Sequence, residues 1–592
     1  MPDYNPEPQI AVLDAGGQYC HLIARKVREL GVYAEVRPSD TPAGELRSAK
    51  GIIISGGPSS VYEPQSPTVD PAIFYAGTPV LGICYGLQLM AHLMGGAVRP
   101  GEKGEYGLAI LDRTEEAVPL FDGLPPGRQQ VWMSHRDTVI GLPPGFQVIG
   151  ATETCAVAAM ADVARRLYGV QFHPEVVHTS HGRRILENFV LVICGCQKDW
   201  NPKVRIPLVT RRIREAAGER NVFFFVSGGV DSSVAFLLCQ RALGPGRVRG
   251  IYVDTGLMRE GETDFVRRTF DRLAPGAVRI ENAAARFLAA LQGVRDPERK
   301  RVAIGEEFVR VQQEIIESGH FLEGDWILGQ GTIYPDTIES GGTQNAAVIK
   351  THHNRVAGIQ QLIQAGRIVE PLSSFYKDEV REIGEELGLD PALLHRHPFP
   401  GPALAIRCLC SETAAPARRL EDGWLLPLRS VGVQGDSRSY APVLALDAPP
   451  EPALFEHATG LINRLAGVNR VVALAGSHAP LASLAVSEST LTPERLARLR
   501  RADAIVRRLS EEHGFDRQVW QFPVILIPLG APDRPDSVVL RPVDSVDGMT
   551  ARAVPMEPAL LQEMTRQLLA LDGVAAVLYD LTHKPPGTIE WE

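Results

Sequence analysis

Cysteine is scarce in this chain: eight are spread through 592 residues, too few and too scattered for a disulfide framework. Long apolar runs are missing as well. None approaches the roughly 20 residues that a membrane-spanning helix needs, which argues against a helical membrane protein. Charge of one dominant sign is absent too. The net charge is −9 with both signs mixed along the chain, which argues against a nucleic-acid partner held by bulk charge. Met1 to Gln9 is polar and proline-rich and lacks the pattern of a secretory signal. These absences predict a reduced, cytoplasmic protein with neither a membrane nor a nucleic-acid partner. What the chain does have is apolar content of 44% and length enough for three or more domains, each with its own core.

One heptapeptide organises the rest: Ser227-Gly228-Gly229-Val230-Asp231-Ser232-Ser233. It follows Val222 to Val226, short and rich in aromatic and β-branched residues, which reads as a buried strand. It precedes Val234 to Leu238, which has helical character. The two glycines therefore sit at a strand-to-helix turn, where the backbone needs positive φ or close approach to a ligand. Such a turn aims free N–H groups and the positive end of the helix dipole at whatever lies above it, which favours phosphate. Three hydroxyls add donors, and Asp231 is the candidate to hold a magnesium ion bridging phosphate oxygens. A Walker A loop needs a lysine before the final Ser/Thr, and a dinucleotide fingerprint needs G-x-G-x-x-G; the chain has neither here. The string resembles the pyrophosphate loop of the N-type ATP pyrophosphatases. That resemblance implies a Rossmann-like domain that adenylates a substrate oxygen and binds ATP through Ser227, Gly228, Gly229, Val230, Asp231, Ser232 and Ser233.

Residues 1–200 read as a separate α/β domain. Ile10 to Asp14, Ala34 to Val36 and Ile52 to Ile54 are strand signals alternating with a helical stretch from Tyr19 to Leu30, the pattern of a largely parallel sheet. Ligands of such sheets gather at the carboxyl ends of the strands. At one such end stands Gly82-Ile83-Cys84-Tyr85-Gly86-Leu87-Gln88, between a short apolar strand and the helical run Leu87 to Leu93. A cysteine at this turn meets a helix N-terminus, which favours the thiolate. Downstream, Gln171-Phe172-His173-Pro174-Glu175 offers a base and an orienting carboxylate. The two strings together resemble the class I glutamine amidotransferases. The resemblance implies Cys84 as nucleophile, His173 as base, Glu175 as its orienter, and the backbone N–H groups of Gly57 and Tyr85 as the oxyanion hole. It further implies glutamine contacts from Gln88 and from a loop Ser134-His135-Arg136-Asp137. Gly17 stands where relatives often carry serine. Cys194 and Cys196 lack the partners that would make them metal ligands, so the reading places no metal there.

Residues 201–407 hold the pyrophosphate loop. Val248 to Val253 and Trp326 to Leu328 are further strands, ending in Asp254-Thr255-Gly256 and Gly329-Gln330-Gly331-Thr332. Gly341 to Asn354, with Lys350, His352 and His353, reads as a lid; Thr343-Gln344-Asn345 replaces the Thr-Gly-Lys common in relatives. Lys377, opening a helix, resembles the lysine that the family directs at the ATP phosphates. His397-Pro398-Phe399-Pro400-Gly401-Pro402 cannot continue a helix and predicts a rigid loop. Ala403 follows it where relatives usually have glycine, a change expected to stiffen the loop.

With that string, the whole chain resembles the glutamine-hydrolysing GMP synthases rather than the NAD synthetases. Residues 408–592 contain a duplication, with copies near 425–480 and 521–592, each reading strand–strand–helix–strand. The predicted fold class is therefore α/β: two parallel-sheet domains, a class I glutaminase and a Rossmann-like ATP pyrophosphatase, plus a duplicated α+β C-terminal domain. The resemblance implies ATP, L-glutamine and xanthosine 5'-monophosphate (XMP) as substrates, with magnesium accompanying ATP. It also implies XMP contacts at Arg301, Asp436, Gln521, Lys584 and Glu590. The duplication predicts a monomer or weak homodimer, since the second copy takes the place of a partner.

Overall fold

The computed structural model describes residues 7–592 except 18, 115–117, 335, 337–355, 395, 398, 421–422, 435–436, 466 and 546–549, and leaves out the side chains at 102, 103, 434, 437 and 438. The expected lid and Asp436 lie outside the described residues. The chain divides into two compact units, Met1–Leu208 and Val209–Glu592.

The first unit is built on a nine-stranded sheet. Five short strands run parallel in the order β2 (Ala34–Pro38), β1 (Ile10–Asp14), β3 (Gly51–Ile54), β4 (Val80–Ile83), β9 (Leu167–Val170). β3, β4 and β9 are buried along their whole length, as a parallel sheet covered on both faces requires. The sheet continues antiparallel through β8 (Ala159–Asp162), β7 (Gln147–Ala151), β5 (Ala97–Arg113) and β6 (Gln129–Gly141). The segment Ser134–Asp137, expected as a loop, lies instead within β6. Its inward positions are polar, so the sequence lacks the apolar alternation by which a strand is recognised.

The second unit begins with an all-parallel sheet in the order β12 (Val278–Asn282), β11 (Val248–Asp254), β10 (Asn221–Phe225), β13 (Trp326–Gly329), β14 (Ile368–Val369). Chain order reverses at β10, the first strand laid down, so its carboxyl end lies at the topological switch point where such sheets bind ligands. Phe223 of β10 stacks on Phe321, with ring centroids 4.3 Å apart, and pins this strand in the core.

The C-terminal residues form a seven-stranded sheet. Both halves follow strand–strand–helix–strand: Gly423–Gln434, Ser437–Leu446, Pro452–Arg464, Arg470–Ser477, then Val524–Ile527, Asp536–Leu540, Pro558–Leu569, Val574–Asp580. The last strands of the two halves pair antiparallel at the centre, and the order outward on either side is the same. That arrangement is a pseudo-two-fold. The helix Pro493–Glu512 buries Leu496, Leu499, Val506 and Leu509, while Ile505 is half-buried.

Candidate functional site

Cys84 joins β4 to the helix Tyr85–Leu93 with φ 52° and ψ −106°, a conformation that costs a non-glycine residue roughly 1–3 kcal/mol. The flanking glycines make the turn sterically feasible. A Cβ on Gly82 would lie 2.5 Å from the Gly86 backbone, and one on Gly86 would lie 2.4 Å from the Ile54 carbonyl oxygen. No side chain fits at either position. The Cys84 N–H donates to Val170 O at 2.8 Å, which ties the elbow to β9 and so to the strand that delivers His173.

His173 Nδ1 bonds Glu175 Oε1 at 2.7 Å, both side chains being buried. Thr179 Oγ1 donates to His173 O at 2.6 Å, and the Tyr19 ring packs edge-on against the imidazole. Burial alone would push the ionisation of His173 down. The Glu175 charge and the hydrogen bonds to Cys84 and Glu175 outweigh it and hold the imidazole up at about 10. The imidazolium therefore persists at neutral pH. The structure thus brings Cys84, His173 and Glu175 together at adjacent strand ends.

The Ser55–Pro58 turn after β3 closes over this group. A Cβ on Gly56 would sit 3.1 Å from His173 Cε1, and one on Gly57 would sit 2.4 Å from Ala15 O. The N–H groups of Gly57 and Tyr85 donate to no backbone acceptor among the described residues, which leaves both available to an oxyanion. Gly17, where relatives often carry serine, has no room for a side chain: a Cβ there would lie 2.2 Å from Gly56 O. Gln88 is buried and donates to Asp137 O at 2.8 Å and Gln171 Oε1 at 3.2 Å. Cys84 Sγ faces Ser134 O at 3.6 Å. One carboxylate oxygen of Asp137 is sealed from solvent with no hydrogen-bond partner among the described residues, an orphan that an ammonium group would complete.

In the second unit the glycine-rich loop links β10 to the helix Val230–Leu243. Gly228 has φ 76°, the conformation that motivates a glycine. Ser227 Oγ and Ser232 Oγ lie 2.9 Å apart, and Gly229 N donates to Ser227 Oγ at 3.2 Å, so the hydroxyls hold the loop's shape. Ser233 is wholly buried. Lys377, first residue of the helix Lys377–Glu386, donates to Asp231 Oδ1 at 2.6 Å. The turn after β13 packs directly on the loop: a Cβ on Gly331 would lie 2.8 Å from Ser232 N. At the end of β11 the Asp254 carboxylate accepts from Gly256 N and Thr263 Oγ1, each at 2.9 Å.

Four of the five residues expected to contact XMP are described. Arg301, in the helix Pro297–Ser318, donates to Glu592 O. Glu590, two residues before it in the chain, is held by Arg407 Nε at 2.9 Å and Nη2 at 2.6 Å. Gln521 pairs through its backbone with Val543, and Lys584 pairs with Ala551. Arg407 and Lys300, which bonds Glu592 Oε2 at 2.7 Å, are wholly buried cations that sequence reading missed. Each lies about 180 or more residues from its partner, beyond the reach of any local pattern. The loop after His397 is anchored by His397 Nε2 to Asp516 O at 3.0 Å, and by the guanidinium of Arg259 4.3 Å above the Phe399 ring.

A family model for class I glutamine amidotransferases matches residues 11–193, and one for the GMP synthase C-terminal domain matches residues 509–591. Among individual proteins, a GMP synthase (glutamine-hydrolysing) of Symbiobacterium thermophilum is 41% identical over 595 residues, covering 98% of this chain and 99% of its own. One of Thermomicrobium roseum is 45% identical over 504 residues, 78% of this chain and 94% of its own. One of Geobacillus kaustophilus is 39% identical over 597 residues, 99% of this chain and 100% of its own.

Proposed function

The chain belongs to the glutamine-hydrolysing GMP synthases, and we propose that its two sites run the two halves of one reaction, with ammonia made at Cys84 and consumed above the Ser227–Ser233 loop. The observation that carries this reading is the Cys84–His173–Glu175 constellation, assembled in the same chain as a glycine-rich strand-to-helix turn at a switch point.

In the first half, the Cys84 thiolate attacks the carboxamide carbon of glutamine. The oxygen that gains charge accepts from the Gly57 and Tyr85 N–H groups. Imidazolium His173 gives its proton to the departing nitrogen, which leaves as ammonia; water then releases glutamate from the thioester, with neutral His173 as base. Gln88 and Asp137 hold the amino-acid end of glutamine.

In the second half, the loop residues Ser227 to Ser233 and Lys377 cradle ATP phosphates. The C2 oxygen of XMP attacks the α-phosphorus and pyrophosphate leaves. Ammonia then displaces AMP from C2 to give GMP. Adenylation turns a poor leaving oxygen into a good one, which is why ATP is consumed. Asp231 fits the role of magnesium ligand: it is a partly exposed carboxylate at a helix N-terminus, and one such carboxylate with phosphate oxygens is the donor set magnesium takes. When bound there, magnesium supplies neutralisation of phosphate charge. Arg301, Asp436, Gln521, Lys584 and Glu590 are assigned to XMP. The working division is 1–200 for glutamine hydrolysis, 201–407 for ATP and 408–592 for completing the XMP site. The eight unpaired cysteines suit a reducing compartment, hence a cytoplasmic enzyme, and the pseudo-two-fold C-terminal sheet suits a monomer or weak dimer.

The test is product analysis with amide-¹⁵N glutamine, ATP, magnesium and XMP. GMP carrying one ¹⁵N, with AMP and pyrophosphate in equal amounts, is expected. ADP and phosphate in place of AMP and pyrophosphate would overturn the adenylation step.

A further inference from the structure

Beside the glutaminase site lies a cluster that the reaction above does not use. Glu105 on β5 and His135 on β6 are direct cross-strand neighbours. Cys155, in the turn between β7 and β8, brings its sulfur to them, so that one carboxylate oxygen, one imidazole nitrogen and one thiol sulfur lie within 4.8 Å of one another. His135 and Cys155 are buried and Glu105 is partly so. We propose that Glu105, His135 and Cys155 bind a thiophilic divalent cation of the zinc class.

Each donor already has the outer partner that a metal ligand needs. His135 Nδ1 faces Asp137 O at 2.9 Å, so Nδ1–H donates to that carbonyl and Nε2 points at the cluster. Glu105 Oε1 accepts from Thr152 Oγ1 at 3.0 Å, leaving Oε2 at 3.1 Å from His135 Nε2. Two ligand atoms on a tetrahedral ion with bonds of about 2.0–2.1 Å sit about 3.3 Å apart, close to that spacing. Cys155 Sγ lies 3.5 Å from Thr138 Oγ1, and the Cys155 N–H donates to Thr152 Oγ1 at 3.0 Å, which fixes the turn. The mixed nitrogen, oxygen and sulfur set selects zinc-like ions over magnesium or calcium. Binding releases the thiol proton of Cys155 and the proton that His135 Nε2 and Glu105 Oε2 share in the empty site, and leaves a neutral imidazole with its Nε2 lone pair on the cation. One thiolate and one carboxylate then balance the two positive charges, as burial demands.

The site is wired to the nucleophile. Asp137 O accepts from both His135 Nδ1 and Gln88 Nε2, and the residue before His135 supplies the carbonyl facing Cys84 Sγ. A cation here clamps β5, β6 and the Cys155 turn behind the wall of the glutamine pocket.

The probe is Co²⁺, whose bond to a thiolate gives charge-transfer absorption in the near ultraviolet, with Zn²⁺ as competitor. The intact chain carries Cys84→Ala, which removes the catalytic thiol from the count. Cys84→Ala is expected to show a thiolate band displaced by one equivalent of Zn²⁺. That band should vanish in Cys84→Ala/Cys155→Ser, and affinity should fall at least about tenfold in Cys84→Ala/Glu105→Gln. The second variant alters a partly exposed residue and keeps the test valid where loss of buried Cys155 perturbs folding. Absence of a thiolate band at micromolar Co²⁺, or a band that neither substitution changes, would overturn the site.

Discussion

Cys84 and Ala403 are both non-glycine residues with left-handed backbones, at φ 52° and 54°, yet the strain serves different ends. At Cys84 it raises the sulfur above the strand ends towards His173. Ala403 follows the proline-rich string, and its methyl group is buried. An alanine in this region is strained by roughly 1–2 kcal/mol, while deleting a buried methyl costs about 1 kcal/mol. Ala403→Gly is therefore expected to be near neutral. Ala405→Gly, equally buried and without that strain, should be worse by about 1–2 kcal/mol; denaturant midpoints of the two variants measure the difference, and equal losses would remove the strain argument. Glu175 carries a second expectation. Burial is the largest influence on His173 and acts downward, so Glu175→Gln should drop its ionisation from about 10 towards or below the ordinary histidine value. The imidazolium would then be lost as pH rises through a lower range. Imidazole proton shifts followed by NMR across pH read this directly, and an unmoved titration would show that Glu175 does not set the charge. The triad residues were legible in the sequence because each stands in a short string at a strand end. The tight fit of Gly82 and Gly86 was not, since it depends on Ile54 from another strand.

Among elements, the central strands of the C-terminal sheet bury a charge cluster at their pairing line. Asp580 accepts from Arg470 at 2.6 Å and Trp591 Nε1 at 2.9 Å, and Arg541 lies 2.9 Å away. Both arginines are fully buried; Arg470 also donates to Ser430 Oγ and to the carbonyls of Val431 and Thr588, and Arg541 to the carbonyls of Thr582, Thr588 and Ile589. The cluster thus clasps the segment that carries Lys584 and Glu590. Asp580→Asn leaves two guanidinium groups without their counter-ion and should cost about 3–5 kcal/mol, read as a lowered urea midpoint; a loss below about 1 kcal/mol would mean the cluster is hydrated. Strands with clear apolar runs, such as Ile10 to Asp14 and Val248 to Val253, were legible in the chain. The hairpin β5–β6 was not, because polar Glu105, His135 and Asp137 sit where a strand pattern expects apolar side chains. Local rules fail where side chains face a site.

For the whole molecule, the last strands of the two C-terminal halves pair with each other, and we propose that this pairing takes the place of a partner chain. Asp436 belongs to the first copy and Gln521, Lys584 and Glu590 to the second, so one chain holds the full proposed set. Activity per chain is expected to stay constant as light scattering follows a dilution series; activity falling in step with dissociation of a dimer would contradict this. The central claim is that one thiol feeds a synthesis that does not otherwise need it, and Cys84→Ala assayed with two nitrogen sources tests it most directly. GMP formation from glutamine should fall by at least on the order of a thousandfold, while formation from ammonium stays within about twofold of the parent chain. Loss of both activities in a folded variant, or synthesis from glutamine that survives, would contradict the account.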